Sequence, residues 1–199
     1  KPWRTPQFLQ DRPLTGREKG SATHLFMQFV RYESCTTREG IRQELVRMQA
    51  EKFLTPRQAE AVDAEKILAL FSSELGNRIL HADSLRREFK FSILADAAAY
   101  DPAAVGEQVM LQGVVDCFWQ EPDGIVILDF KTDYIHGDLQ QKAARYAPQL
   151  RAYAQALSRI YQCPVKKTVL YFFSAGREVE IDPDCLLYTS PSPRDYAAS

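Results

Sequence analysis

The chain has 199 residues, 45% of them hydrophobic and 26% charged, with a formal net charge of −1. This size and balance suit a globular domain that buries a core without disulfides or a structural metal, and they exclude a disordered chain. They also exclude a polycation that binds nucleic acid through overall charge, and no apolar run approaches the ~20 residues that span a bilayer.

Residues 1–14 are rich in proline (Pro2, Pro6, Pro13) and charge and read as an extended lead-in. Thr15 with Glu18 forms a capping-box pattern, predicting a helix from about Gly16 to Tyr32 with Leu25, Phe26, Phe29 and Val30 on its apolar face. A second helix is expected from Arg38 to Lys52 on the stripe Ile41, Leu45, Met48. Thr55-Pro56-x-Gln58 is another start signal, with proline at the first helical position. Asp63 caps a further predicted helix that ends near Gly76, with Ile67, Leu68 and Phe71 inward.

The period then changes. Residues 86–95, 108–119 and 125–131 read as strands, and Gln120-Glu121-Pro122-Asp123-Gly124 carries the turn chemistry that joins the last two as a hairpin. One long helix is expected from Leu139 to Tyr161, ended by Pro164. A strand over 165–173, a turn at Ser174-Ala175-Gly176 and a short returning strand at Glu178–Ile181 follow. The order predicts an α/β or α+β domain over residues 15–184 with a mixed central sheet flanked by helices and preceded by a helical segment. From Cys185 the chain is Ser/Pro-rich and aperiodic. Residues 185–199 read either as a disordered tail or as a non-native translated extension.

Cys35, Cys117, Cys163 and Cys185 are far apart and include no C-x-x-C pair. This argues against a zinc or iron–sulfur centre and against a disulfide framework, and favours a reducing, cytoplasmic setting. No signal peptide opens the chain, and a start at Lys1 rather than Met is expected of a piece of something longer.

The hairpin carries the most chemistry. Asp116 lies near the end of its first strand and Asp129-Phe130-Lys131 at the end of its second. Side chains at i and i+2 of a strand share a face, so Asp129 and Lys131 point the same way, roughly 6–7 Å apart. Val126, Leu128 and Phe130 then take the opposite, core-facing side. Burying a carboxylate and an ammonium among apolar strands costs several kcal/mol unless compensated. A hard cation bridging Asp116 and Asp129 would compensate, and Mg²⁺ takes one or two carboxylates together with waters and phosphate oxygens. Lys131 beside it could orient a water or stabilise charge on phosphorus. A plain salt bridge at a hairpin end is the alternative. Gly113 permits close approach three residues before Asp116, Glu88 on the preceding strand could line the same cleft, and His24 follows Gly20 by four residues.

Gly20-x-x-x-His24, Gly113-x-x-Asp116, Asp129-x-Lys131 and Gln149-x-x-x-Tyr153 stand in the order seen in RecB-like nucleases of the PD-(D/E)XK superfamily, which the chain resembles over about residues 6–181. The lead-in Leu14-Thr15-Gly16-Arg17-Glu18-Lys19-Gly20-Ser21-Ala22-Thr23-His24 and the segment Tyr146-x-x-Gln149-Leu150-x-x-Tyr153 are similar to the C-terminal nuclease domain of AddA-type helicase–nuclease subunits.

The resemblance implies a restriction-endonuclease-like fold and metal-dependent hydrolysis of DNA. It assigns His24, Asp116 and Asp129 to the metal, Mg²⁺ with Mn²⁺ as a substitute, and Lys131 to catalysis. Gln149 and Tyr153 support the site and the DNA path, with Glu88 as a further lining residue. It further implies a single-stranded DNA end fed from a duplex, a partner of AddB type, and a role in double-strand-break repair and recombination. Lys142, Arg145 and Tyr146 precede the Gln149–Tyr153 motif and are the favoured strand contacts. Arg86, Arg87, Arg151, Lys166 and Lys167 are weaker candidates, since most surface cations are merely solvated. Iron–sulfur relatives hold their cluster through flanking cysteines, and the four cysteines here do not match that arrangement, so no cluster is expected. No G-x-x-x-x-G-K-[ST] loop is present, so no ATP site is expected in this chain, although AddA-type parents bind ATP. A stand-alone nuclease, a catalytically inactive DNA-docking module and a small binding protein with a structural D-x-K are the rival readings.

Overall fold

The computed structural model describes residues 13–99 and 101–182. The expected lead-in before Pro13 and the expected tail from Cys185 lie outside them. The chain divides after Leu80 into two compact units.

The first unit is helical. Helix α1 (Gly16–Phe29) starts at the expected capping box: the Glu18 N–H donates to Thr15 Oγ1 at 3.2 Å, and the Thr15 N–H donates back to Glu18 Oε2 at 2.8 Å. The helix stops at Phe29, short of Tyr32, and a 3₁₀ turn at Tyr32–Thr36 leads to α2 (Arg38–Ala50), capped by Thr37. Helix α3 (Pro56–Ala61) has the Thr55/Gln58 capping box and the proline read from sequence. The single helix expected from Asp63 is two, α4 (Ala64–Phe71) and α5 (Glu74–Leu80), because Ser73 turns its hydroxyl onto the Gly76 N–H at 3.1 Å and starts a new helix. The turn is tight: a Cβ on Gly76 would stand 2.2 Å from the Leu70 carbonyl oxygen. Leu70 rather than Leu68 is therefore the third buried member of α4. Phe26, Met27, Ile41, Met48, Ile67, Leu75 and Ile79 are buried, each contributing about 1.5–3 kcal/mol of transfer free energy.

The sequence stripe misses one buried position of α2. Glu44, not Leu45, is covered there. Its carboxylate accepts the Arg31 N–H at 2.8 Å and a two-point contact from Arg47 at 3.0 and 2.6 Å. Arg47 Nη2 also donates to the Phe29 carbonyl at 3.0 Å. This pair satisfies the end of α1 and ties it to α2, because the last carbonyls of a helix lack partners of their own.

The second unit is a five-stranded mixed sheet in the order β1-β2-β3-β4-β5, as expected. The strands are β1 (Arg86–Asp96), β2 (Gln108–Glu121), β3 (Gly124–Lys131), β4 (Val165–Phe172) and β5 (Arg177–Ile181). β1/β2, β2/β3 and β4/β5 are antiparallel, whereas β3 and β4 are parallel. A parallel pair needs a long crossover. Here it consists of α6 (Leu139–Ala144) and α7 (Ala147–Tyr161), not the one helix expected over 139–161. Pro148 has no N–H to continue a helix and clashes with the preceding turn, so it sits in the first turn of α7 instead.

β3 is central and buried on both faces. This corrects the expectation that only Val126, Leu128 and Phe130 face a core. Ile125 and Ile127, on the side of Asp129 and Lys131, belong to the cluster of Leu150, Tyr153, Ala156 and Leu157 from α7. The catalytic candidates therefore stand at the end of the strand face that packs on α7.

Candidate active site

The β2–β3 hairpin sets Asp116 and Asp129 on neighbouring strands. Its register pairs Cys117 with Leu128, which brings Asp116 beside Asp129 at the next position. Asp116 Oδ2 accepts the Phe130 N–H at 2.8 Å, so the first acid is fixed to the backbone between Asp129 and Lys131. Asp129 is 2% exposed, and its Oδ2 lies 2.5 Å from Lys131 Nζ. The i, i+2 spacing read from sequence thus does produce a buried ion pair at a strand end.

Helix α7 fixes the lysine. Lys131 Nζ donates to Gln149 Oε1 at 2.9 Å, and Gln149 Nε2 donates to the Tyr153 hydroxyl at 2.7 Å. Gln149 and Tyr153 are four apart on the helix and hence on one face. Gly113 on β2 makes room for that face: a Cβ there would stand 2.8 Å from the Phe91 ring and 3.1 Å from the Tyr153 ring. Tyr146, the residue preceding α7, lies with its ring centroid 4.1 Å from Lys131 Nζ, a cation–π distance. Its hydroxyl donates to Asp133.

β1 adds Glu88. The pairs Arg87–Cys117 and Phe89–Val115 flank it, so it faces Asp116 across the strands. The ladder skips that one pair, and Glu88 has φ +50°. Phe91, Val115 and Phe118 nonetheless share one core cluster. Strict alternation would put Val115 and Phe118 on opposite faces, so the pleat is broken at Glu88 and Asp116. A non-glycine residue in the left-handed region carries a cost and is found where the surroundings impose it, often at functional sites.

Electrostatics follow this crowding. Burial is the chief cause that pushes the Asp116 carboxyl up to about 6, with the charge of Glu88 adding to it against the Phe130 N–H and Lys131. The Tyr153 hydroxyl is pushed up to about 12, first by burial and then by the charge of Asp129, with Asp116 and Glu88 contributing. Three carboxylates from three strands therefore converge on one tyrosine. Among the described residues no group of three His, Cys, Asp or Glu side chains is arranged to hold a metal by itself. A hard cation such as Mg²⁺ needs only one or two carboxylates beside water and substrate oxygens. The oxygen donors of Asp116 and Asp129, crowded and partly desolvated, fit that requirement.

The remaining candidates are distributed as follows. His24 is half-buried on α1 of the helical unit. Lys142 lies 3.8 Å from Asp133 and 5.9 Å from the Tyr146 ring centroid, and Arg145 follows α6 at the surface. Lys166 pairs with Glu121 and Asp123 at 2.6 and 2.5 Å, and Lys167 with Glu180 at 2.5 Å, so both are committed to carboxylates at the hairpin end and on β5. Arg86 and Arg87 begin β1, and Arg151 is half-buried on α7. Sequence reasoning missed Asp133, which holds Tyr146 and Lys142. The signal was present as the continuation of the Asp129, Lys131 spacing by two more residues.

The family model of the PD-(D/E)XK nuclease superfamily matches residues 4–195. The large ATP-dependent helicase/nuclease chain of Bacillus cereus (strain Q1) is 41% identical over 188 residues, covering 89% of this chain and 15% of the relative. Its counterpart in Clostridium novyi (strain NT), of the same name, is 39% identical over 183 residues, covering 88% and 15%. The chain thus spans about 15% of the length of these curated relatives. Among solved structures, SSO0001 aligns over 83% of this chain and 70% of that one with a TM-score of 0.36 and 14% identity, too low to argue from.

Proposed function

The chain belongs to the PD-(D/E)XK nuclease superfamily, and from that premise we propose that residues 15–184 hydrolyse DNA phosphodiester bonds as the nuclease region of an AddA-type ATP-dependent helicase/nuclease. The observation that carries the proposal is the buried Asp129–Lys131 pair, beside an Asp116 bound to the intervening Phe130 N–H.

Asp116 and Asp129 would hold a divalent cation, Mg²⁺ or Mn²⁺. Such an ion supplies positive charge to a phosphate oxygen and lowers the pKa of a water. The chain's own residues do the rest. Lys131 presents an ammonium whose direction is set by Gln149 and by the Tyr146 ring, so its charge is oriented before substrate arrives. A preorganised donor of this kind is worth about 2.7–4 kcal/mol where charge develops. Asp116 and Asp129 exclude a second anion unless a cation accompanies it, which ties phosphate binding to metal. Burial against α7 keeps bulk water from Asp129.

In this reading the substrate is a single-stranded DNA end released from a duplex by a motor elsewhere in the parent. An AddB-like protein is its partner, and the work is break repair and recombination in the cytoplasm. The motor, the partner and the repair role come from the relatives' helicase/nuclease nature.

The test uses end-labelled single-stranded DNA and the full chain. Mg²⁺-dependent release of nucleotides that EDTA stops and Asp129→Ala abolishes is expected. Cleavage indifferent to Asp129→Ala overturns the site. If the chain releases nothing, calorimetric titration decides: Mg²⁺ heat in the wild type that Asp129→Ala removes supports the reading, and its absence refutes it.

A further inference from the structure

Immediately after Lys131 the chain leaves the sheet and runs to α6. This segment carries an aromatic pair outside the chemistry described above. The rings of Tyr134 and His136 stack with centroids 6.1 Å apart and planes 28° from parallel. Tyr134 is 78% exposed, so its ring face is open to solvent. Together with Asp138, Gln141, Lys142 and Arg145 the pair lines a cleft of about 220 Å³.

The cleft is continuous with the active site through one side chain. The Tyr146 ring lies 4.1 Å from Lys131 Nζ, and Lys142 Nζ, which lines the cleft, lies 5.9 Å from the same centroid. The volume is below the ~300–1,000 Å³ that encloses a drug-sized ligand. It suits one unit of a chain passing through rather than a molecule held whole. An exposed ring with cations beside it matches the two halves of an unpaired nucleotide, since bases stack on aromatic faces whatever their identity and phosphates meet lysine and arginine. A duplex hides its base faces and offers no such match. Asp138 is also in the cleft, but its carboxylate accepts the Gln140 N–H at 2.8 Å.

We propose that the Tyr134 ring is a stacking platform for one unpaired base of single-stranded DNA next to the scissile position, with Lys142 and Arg145 on the adjoining phosphate. This rests on the nuclease reading and deepens it. Because stacking ignores base identity, the subsite grips strands without sequence preference and lets them slide.

The test measures binding of a fluorescein-labelled oligothymidylate to the full chain by anisotropy, in EDTA and again with Mg²⁺. A strand of equal length built from abasic sites is the control. Tyr134→Ala is expected to weaken oligothymidylate binding about 5- to 150-fold, the range of one lost base–aromatic stack. It should leave the abasic strand within about twofold, and Tyr134→Trp should restore binding. In cleavage assays KM rises while kcat at saturating strand stays. Equal binding of the oligothymidylate by wild type and Tyr134→Ala overturns the subsite alone. A wild type that binds neither strand in either condition overturns the nuclease reading with it. Tyr134 is at the surface, so unchanged circular dichroism melts are expected for both variants.

Discussion

Lys131 on β3 and Gln149 on α7 meet at 2.9 Å, and that contact joins the sheet to the crossover helix at the point of chemistry. It has a cause in each element. The lysine is placed by the parallel β3–β4 edge, and the glutamine by Pro148, which restarts the helix one residue earlier. Gln149→Leu keeps the volume but removes both bonds the amide makes. We predict a 10- to 100-fold lower kcat with little change in KM, since small misplacement of a reacting group costs about that much. The accompanying loss of stability should be about 1–3 kcal/mol. Single-turnover cleavage with a denaturant melt separates the two, and an unchanged kcat would show that Lys131 does not need Gln149.

Gly113 is a second dependence of the same face. The Phe91 and Tyr153 rings occupy the space a Cβ would take, at 2.8 and 3.1 Å. Gly113→Ala is expected to cost about 1–3 kcal/mol through overpacking. Gly16→Ala, where nothing lies within 4 Å, serves as the control and should be neutral or slightly stabilising. Matching melts for the two variants would remove the argument that Gly113 is there to admit Tyr153.

Where the signal was local, the sequence was legible. The two capping boxes, the Glu121–Gly124 turn and the hairpin each need only four or five residues, and each formed as read. The site was legible to the same extent: hairpin register alone brings Asp116 beside Asp129, and the i, i+2 rule alone pairs Asp129 with Lys131. The splits at Ser73 and Pro148 were harder, because the apolar stripe continues through both and only the polar start signals interrupt it. Glu44 was invisible, since a carboxylate in a helix stripe reads as surface until Arg31 and Arg47 are seen around it. The left-handed Glu88 was invisible for a different reason. Its backbone is imposed by the break in pleat shared with Asp116, a property of two strands rather than of one.

Glu44 has a pH signature. Burial alone would raise its pKa, but Arg47 and the Arg31 N–H outweigh that and hold it below the ordinary carboxylate value. A lowered folded-state pKa contributes stability that is present above the unfolded value of about 4.5 and lost as pH falls through the folded one. Glu44→Gln should therefore destabilise the chain at pH 7 by about 1–3 kcal/mol, as expected for a charged hydrogen-bonding partner lost from a buried pair. The difference from wild type should shrink steadily below pH 4.5. Urea melts from pH 7 to pH 3 give the curve, and a gap that stays constant over that range would contradict the assignment.

Asp116 has the opposite sign. Its pKa is raised, from 3.8 to about 6, first by burial and then by Glu88. Between those two values the folded chain holds a proton that the unfolded chain has released, so stability falls as pH rises through about 6. Above that the ionised carboxylate destabilises the fold by up to about 3 kcal/mol, at 1.36 kcal/mol per pKa unit. Asp116→Asn keeps an oxygen for the Phe130 N–H and removes the charge. In EDTA at pH 7.5 it should melt higher than wild type, and near pH 4 the two should coincide. Added Mg²⁺ should close the gap at pH 7.5 by stabilising the wild type alone, since a ligand that binds only the folded carboxylate form raises its apparent stability. Cleavage should be lost in the variant at every pH. A variant that melts below wild type in EDTA at pH 7.5 would mean that Asp116 supports the fold rather than straining it, and its place in the site would have to be explained by structure alone.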